Sequence, residues 1–125
     1  MSDDTAILQR LLKAYNDHDA DGVAACFTDD AVFEAPSGPG PSGASYVGTS
    51  AIRDVVAARF ASSPDVHWEE ESHFRSGDRG ASSWTVTWTN PDGSAVNLRG
   101  CDLFTLRGEL LTRKDSFFKI AVAPK

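Results

Sequence analysis

No run of this chain is apolar for long enough to cross a bilayer: a span takes about 20 consecutive apolar residues, and polar or charged residues interrupt every stretch here. Basic residues are scarce. Twelve Lys and Arg stand against 18 Asp and Glu, a net charge of −6, and no basic stripe or aromatic RNA-binding motif is present, so neither nucleic acid nor membrane is expected as a partner. Only two cysteines occur, Cys26 and Cys101. Both sit in apolar settings without metal-ligand spacing, as buried free thiols in a reducing compartment do; one structural disulfide is the alternative. A G-x-S-x-G nucleophile elbow is missing. So is a phosphate loop, since Gly38, Gly40 and Gly43 alternate with prolines and no lysine follows. Met1-Ser2-Asp3-Asp4 is acidic and lacks the basic-then-apolar pattern of a secretory leader. These absences lead to a cytoplasmic protein with no metal and no cofactor.

What remains is an ordinary globular composition, 41% hydrophobic and 24% charged over 125 residues, the size of one domain over residues 1–125. Asp3 and Asp4 suit a helix start. Ile7, Leu8, Leu11, Leu12 and Tyr15 recur at helical spacing to about Asn16. Asp17 to Asp21 reads as a turn holding a surface His18, with Asp19 capping a short second helix. A strand follows over Ala31–Ala35, then a Pro, Gly and Ser loop from Pro36 to Ser45 fit to be a lid or pocket rim. Thr49 or Ser50 caps a third helix with Ile52, Val55, Val56, Arg59 and Phe60 on one side; Ser62-Ser63-Pro64 ends it.

From Val66 the period changes to two and four consecutive antiparallel strands are expected. The order predicts an α+β fold, a curved sheet with helices packed on one side. His67, Glu69, Glu71, His73 and Arg75 read as the wet face of a strand; as ligands they would line one strand and not converge. Near the end, Arg107-Gly108 fits a two-residue hairpin turn that sets Asp102 opposite Arg113. One mainly apolar face then carries Leu98, Gly100, Asp102, Phe104 and Leu106, with Leu111, Arg113, Asp115 and Phe117 across from them. Asp102, Arg113 and Asp115 become a buried charged trio, and buried charge costs several kcal/mol unless paired. Such a trio is a candidate catalytic cluster.

The segments AYNDHDADGVAACFTDDAVFEAP, YVGTSAIRDVVAARF, SSWTVTWTNPDGSAV and RGCDLFTLRGELLTRKDSFFKI, from about Ala6 to Ile120, resemble the nuclear transport factor 2-like superfamily. That group includes SnoaL-like polyketide cyclases, ketosteroid isomerases and limonene-epoxide hydrolases. The resemblance implies a single SnoaL-like domain, a cone whose curved mixed sheet wraps over the first of three N-terminal helices, and a pocket at the open end. Against the isomerases, the catalytic base position is Ala35 and the tyrosine donor position is Leu11. The aspartate is kept at Asp102; in that family it stays protonated in an apolar site. The same alignment turns Trp84, Val86, Trp88, Arg113, Asp115 and Phe117 inward. Hairpin parity through Asn90 to Gly93 then requires a bulge. The carboxylate, arginine and carboxylate also match, in type alone, the groups with which the epoxide hydrolases activate water.

Two functions stay open. One is a small enzyme (isomerase, cyclase, dehydratase or epoxide hydrolase type) acting on a hydrophobic small molecule. It would use Asp102, Arg113 and Asp115, with Tyr15, Phe33, Trp68, Trp84, Val86, Trp88, Phe104 and Phe117 as pocket wall. The other is a non-catalytic ligand-binding or dimerisation module of the same fold, which the lost isomerase base favours. A homodimer is expected through the outer sheet face bearing Leu103, Thr105, Leu110 and Phe118.

Overall fold

A computed structural model describes residues 4–122. Helix α1 runs Ala6–Asn16 and buries Ile7, Leu8, Leu11, Ala14 and Tyr15, one stripe at helical spacing. Its expected start at Asp3 lies outside the described residues, and Asp4 precedes the helix in a turn. Asp19 caps α2 (Ala20–Ala24), accepting from the Gly22 amide at 2.9 Å. The third helix, α3 (Thr49–Ser62), buries Ile52, Val56 and Phe60. Its N-cap is Gly48, at φ 91°, with no side-chain cap. This corrects the expected Thr49 or Ser50 cap, because only a glycine enters the helix from that backbone region without strain.

The strands are β1 (Phe27–Glu34), β2 (Ser45–Val47), β3 (His67–Ser76), β4 (Arg79–Thr89), β5 (Ala95–Arg107) and β6 (Leu110–Phe118). They form one curved sheet in the order β2-β1-β6-β5-β4-β3. Neighbours pair antiparallel except β1 with β6, which run parallel. The fold is therefore the expected α+β cone, an open mixed sheet over three helices, and β3 to β6 are the four consecutive antiparallel strands. The Pro36–Ala44 segment joins β1 to β2 as a hairpin loop, tied by Ala35 N–H to Ala44 O (2.8 Å) and Ala44 N–H to Ser37 O (3.0 Å). Strand β2 was not legible, since its three residues sit next to that loop.

Register decides which side chains face the helices. The last hairpin turns at Gly108-Glu109, with Arg107 opposite Leu110 and Leu106 opposite Leu111. The turn lies one residue beyond the expected one, so each partner shifts by two, an even shift that leaves the faces unchanged. Then Thr105 pairs with Arg113, so Thr112 is an extra residue, a β-bulge. One extra residue sends every later side chain to the opposite face. Asp102 stays inside, opposite Ser116, and Lys114 is buried opposite Phe104. Arg113, Asp115 and Phe117 turn to the outer face, which corrects the expected buried trio.

Two other parities also differ. Strands β4 and β5 pair without interruption from Arg79–Thr105 to Thr89–Ala95. The turn is a five-residue loop, Asn90 to Ser94, and the odd count brings Trp84, Val86 and Trp88 inward with no bulge. A bulge does lie in β3, where pairing shifts between Glu70 and Ser72. It leaves Phe74 63% exposed and buries the side chains of His73 and Arg75. Only His67, Glu69 and Glu71 keep the expected wet setting; among the described residues no three potential ligands converge on a metal position.

The core lies between α1, α3 and the inner sheet face. Asn16 ties the free edge of β3 to α1, donating to Trp68 O (2.8 Å) and accepting from Trp68 N–H (2.9 Å). His18 is more than a surface residue: its Nε2 lies 2.7 Å from Val66 O and its ring stacks on Phe60 at 4.5 Å. Cys26 is buried, Cys101 is half-buried, and both are free thiols. No described helix is long and apolar enough to cross a membrane.

Candidate functional site: a buried ion pair beneath an aromatic cavity

Alternate residues of β4 build one wall. Trp84, Val86 and Trp88 point inward, and Gly100 on β5 makes room for the first. A Cβ at Gly100 would lie 2.6 Å from the Trp84 ring and 2.4 Å from Phe117 O. Strand β1 supplies Phe33, α1 supplies Tyr15, β3 supplies Trp68 and β6 supplies Phe118. These residues, with Val55, Val56 and Arg59 of α3, Lys114 and Ser116 of β6, and Ala35, Pro36 and Ser37, enclose a cavity of about 280 Å³. That is close to the lower end of the roughly 300–1,000 Å³ usual for ligand pockets. The Pro36–Ser45 loop is thus part of the pocket rim.

Six of the eight expected wall residues line this cavity: Tyr15, Phe33, Trp68, Trp84, Val86 and Trp88. Phe104 lies deeper, against a second space of about 20 Å³ shared with Leu8, Leu11, Ser82 and Asp102. Phe117 is 47% exposed on the outer face, and its neighbour Phe118 stands in the wall instead. The bulge at Thr112 causes that exchange.

Beneath the wall, Asp102 and Lys114 are only 6% and 5% exposed. Lys114 Nζ lies 3.3 Å from Asp102 Oδ1 and donates to Ser116 Oγ at 2.7 Å. Ser116 Oγ donates to the same Oδ1 at 2.5 Å, and Trp84 Nε1 donates to Oδ2 at 3.0 Å. The Lys114 ammonium also sits over the Phe33 and Tyr15 rings, 4.4 and 4.9 Å from their centroids. Burial works against this ammonium, but the attraction of Asp102, with help from Tyr15, raises its pKa above the usual lysine value. Lys114 is therefore a cation and hydrogen-bond donor throughout the neutral range, not a free amine nucleophile. The aligned tyrosine position is Leu11, yet Tyr15, one helical turn on, brings a phenol to the same cavity. Its hydroxyl is buried and makes no hydrogen bond of normal geometry among the described residues, although it interacts with the Lys114 ammonium. Burial raises its pKa, Lys114 pulls the other way and Asp102 adds to the rise, so the group is a neutral O–H donor.

The expected catalytic trio divides. Asp102 is in the buried pair, though it borders the small inner space and not the main cavity. Arg113 instead holds Glu34, a buried carboxylate of β1, and lies 3.5 Å from Asp115, with half its own side chain exposed. Burial and then the nearby Glu34 charge raise the Asp115 pKa, against the pull of Arg113. This outer cluster is an ion-pair network on the far side of the sheet from the cavity. Lys114, Ser116 and Glu34 carried no sequence signal, because their roles follow from a bulge at an unremarkable threonine. Arg59 was legible on the apolar side of α3. Its guanidinium lies 4.4 Å over the Trp88 ring and donates to Ser63 Oγ at 3.0 Å, and burial lowers its pKa.

The lining can polarise an oxygen of a bound molecule and stabilise negative charge on it, in surroundings where charge interactions are strong. It holds no carboxylate or imidazole among the described residues. Two stability outcomes follow. Lys114→Met leaves the Asp102 carboxylate buried without its counter-ion and is expected to cost about 3–5 kcal/mol in urea unfolding; a loss below 1 kcal/mol would show that the pair is not the constraint described. Tyr15→Phe removes a buried hydroxyl that makes no hydrogen bond of normal geometry and is expected to stabilise by about 1 kcal/mol. A loss of stability in that variant would reveal a hydrogen bond to the phenol.

Comparison with known proteins agrees with this fold. TerC, crystallised with polyporic acid, superposes with a TM-score of 0.81 at 20% identity over 94% of this chain and 92% of that one. A Catenulispora acidiphila protein of ketosteroid isomerase-like fold, in complex with trimethylamine, gives 0.83 at 17% over 92% and 86%. A nuclear transport factor 2-like protein of unknown function from Mesorhizobium loti gives 0.75 at 23% over 93% and 90%. At these identities the likeness is one of fold. The family model described as SnoaL-like domain matches residues 8–114, and with nearly the whole chain inside that match, the protein belongs to the SnoaL-like domain family.

Proposed function

We propose that this protein binds an apolar, aromatic-rich small molecule through a carbonyl or enol oxygen and accelerates a reaction in which negative charge develops on that oxygen. The observation that carries this reading is the Lys114 ammonium, buried, charged and held by Asp102 beneath an aromatic-walled cavity. A buried cation fixed by Asp102 and Ser116 needs no reorganisation as charge develops near it. Tyr15 O–H is the second donor. Asp102 acts through Lys114, as a positioning residue, and not by direct contact from the main cavity. Isomerisation and cyclisation of ketone-like substrates belong to this type. TerC, of the same fold, was crystallised with polyporic acid, which supports a pocket for small organic molecules.

The bare binding module is the second reading, favoured by the lack of a carboxylate or imidazole in the described lining. One experiment separates the two. In D₂O, exchange of the α-protons of 2-tetralone, followed by NMR, is expected to run faster with the protein than with buffer alone. Tyr15→Phe, expected to remain folded, is expected to slow it about 10²-fold. Saturable binding of 2-tetralone without accelerated exchange would establish the binding module instead.

The outer face supports a homodimer. Phe74, Leu103 and Phe117 are 63%, 44% and 47% exposed and lie on β3, β5 and β6 of the same face; the expected Phe118 belongs to the cavity. Light scattering is expected to give twice the monomer mass at micromolar concentration, and Leu103→Lys with Phe117→Lys to give the monomer. A wild-type monomer mass would rule this association out.

A further inference from the structure

The charges around the cavity do not balance. Among the described residues Lys13, Arg53, Arg75, Arg99, Arg107, Arg113 and Lys114 each pair with a carboxylate, and Arg10, Arg59, Arg79 and Lys119 do not; of these four only Arg59 is at the cavity. Arg59 lines the cavity and pairs with none among the described residues. Its guanidinium donates once, to the buried Ser63 Oγ, and stacks on Trp88. Those two contacts fix the planar fork and leave most of its donors unused. Two cations and no anion line the cavity. Asp102, directly behind Lys114, compensates one of them. One positive charge is left over, at Arg59, in a chain of net charge −6. A half-buried guanidinium without a counter-ion in an apolar wall is the complement of an anionic group on a bound molecule.

The wall also gives the spacing. Trp84 donates to Asp102 at the floor, and Trp88 underlies Arg59. These residues are four apart on β4, or about 13 Å at roughly 3.3 Å per residue. Aromatic and aliphatic side chains fill the interval.

We infer that the ligand is an apolar monoanion of two- or three-ring size, with a carboxylate or similarly ionised oxygen bound by Arg59 and a second, neutral oxygen at the Lys114 end. This rests on the reading of the cavity as a small-molecule site and adds the charge of the molecule and the residue that selects it.

The test uses 6-hydroxy-2-naphthoic acid and its methyl ester, which differ at the predicted anionic end, titrated into the whole protein by calorimetry at pH 7. The acid is expected to bind at least tenfold more tightly than the ester. Arg59→Gln is expected to abolish that preference, bringing acid and ester to within about twofold of each other. Arg53→Gln, an exposed cation of the same helix outside the cavity lining, is expected to retain it. Equal binding of acid and ester, or a preference that survives Arg59→Gln, would overturn the assignment and leave the cavity reading standing. Failure of both probes to bind would overturn the cavity reading and this inference together. An Arg59-dependent preference for the acid with no accelerated exchange of 2-tetralone would support the assignment and remove only the catalytic part of the proposed function.

Discussion

A carboxylate and an ammonium that are both more than nine-tenths buried cannot be parted without leaving one of them uncompensated, at a cost of several kcal/mol. Asp102 and Lys114 are in that position, and much of the surrounding architecture keeps them together. The bulge at Thr112 brings Lys114 to the inner face at all. Ser116, two residues on and on the same face, bridges the pair. Trp84 satisfies the other carboxylate oxygen, and its ring fits because the residue across the ladder is Gly100. An apolar environment makes this arrangement demanding and also useful: the same low dielectric that penalises an isolated charge strengthens a fixed one acting on a bound molecule.

The sheet separates two ionic clusters. On the inner side, Asp102 and Lys114 are closed off by aromatic rings. On the outer side, Glu34, Arg113 and Asp115 meet at the β1–β6 pairing, with Arg113 half exposed. The clusters still influence each other through the sheet, since Asp102 and Lys114 both contribute in small measure to the shifted Asp115 pKa. Only the inner cluster borders the space where a molecule would lie. Its compensation by Asp102 is what lets Arg59 set the net charge of the cavity.

Much of the fold was written in the sequence. Helix α1 follows from a stripe at 3.6-residue spacing, α2 from its Asp19 cap, and the four C-terminal strands from period-two alternation between Gly- and Asn-containing turns. The cavity wall was legible as well, because Trp84, Val86 and Trp88 alternate on one strand and Tyr15, Trp68 and Phe33 sit on elements whose apolar faces must meet. These are local patterns, and burial of an apolar face turns a local pattern into a tertiary position.

What the sequence could not settle is parity. A strand has two faces, and a single inserted residue exchanges them. Thr112 has none of the glycine character that would mark a bulge, yet it moves Arg113, Asp115 and Phe117 outward and Lys114, Ser116 and Phe118 inward. In β3 the shift near Glu71 likewise buries His73 and Arg75 and exposes Phe74. The sequence by itself determined the helices, every strand but β2, their order, the aromatic wall and the presence of charge on the last hairpin. Only the tertiary structure decided which of those charges is buried, because the choice between neighbouring residues of a strand depends on pairing with partners far away in the chain, and here it falls on the register that gives Asp102 its counter-ion.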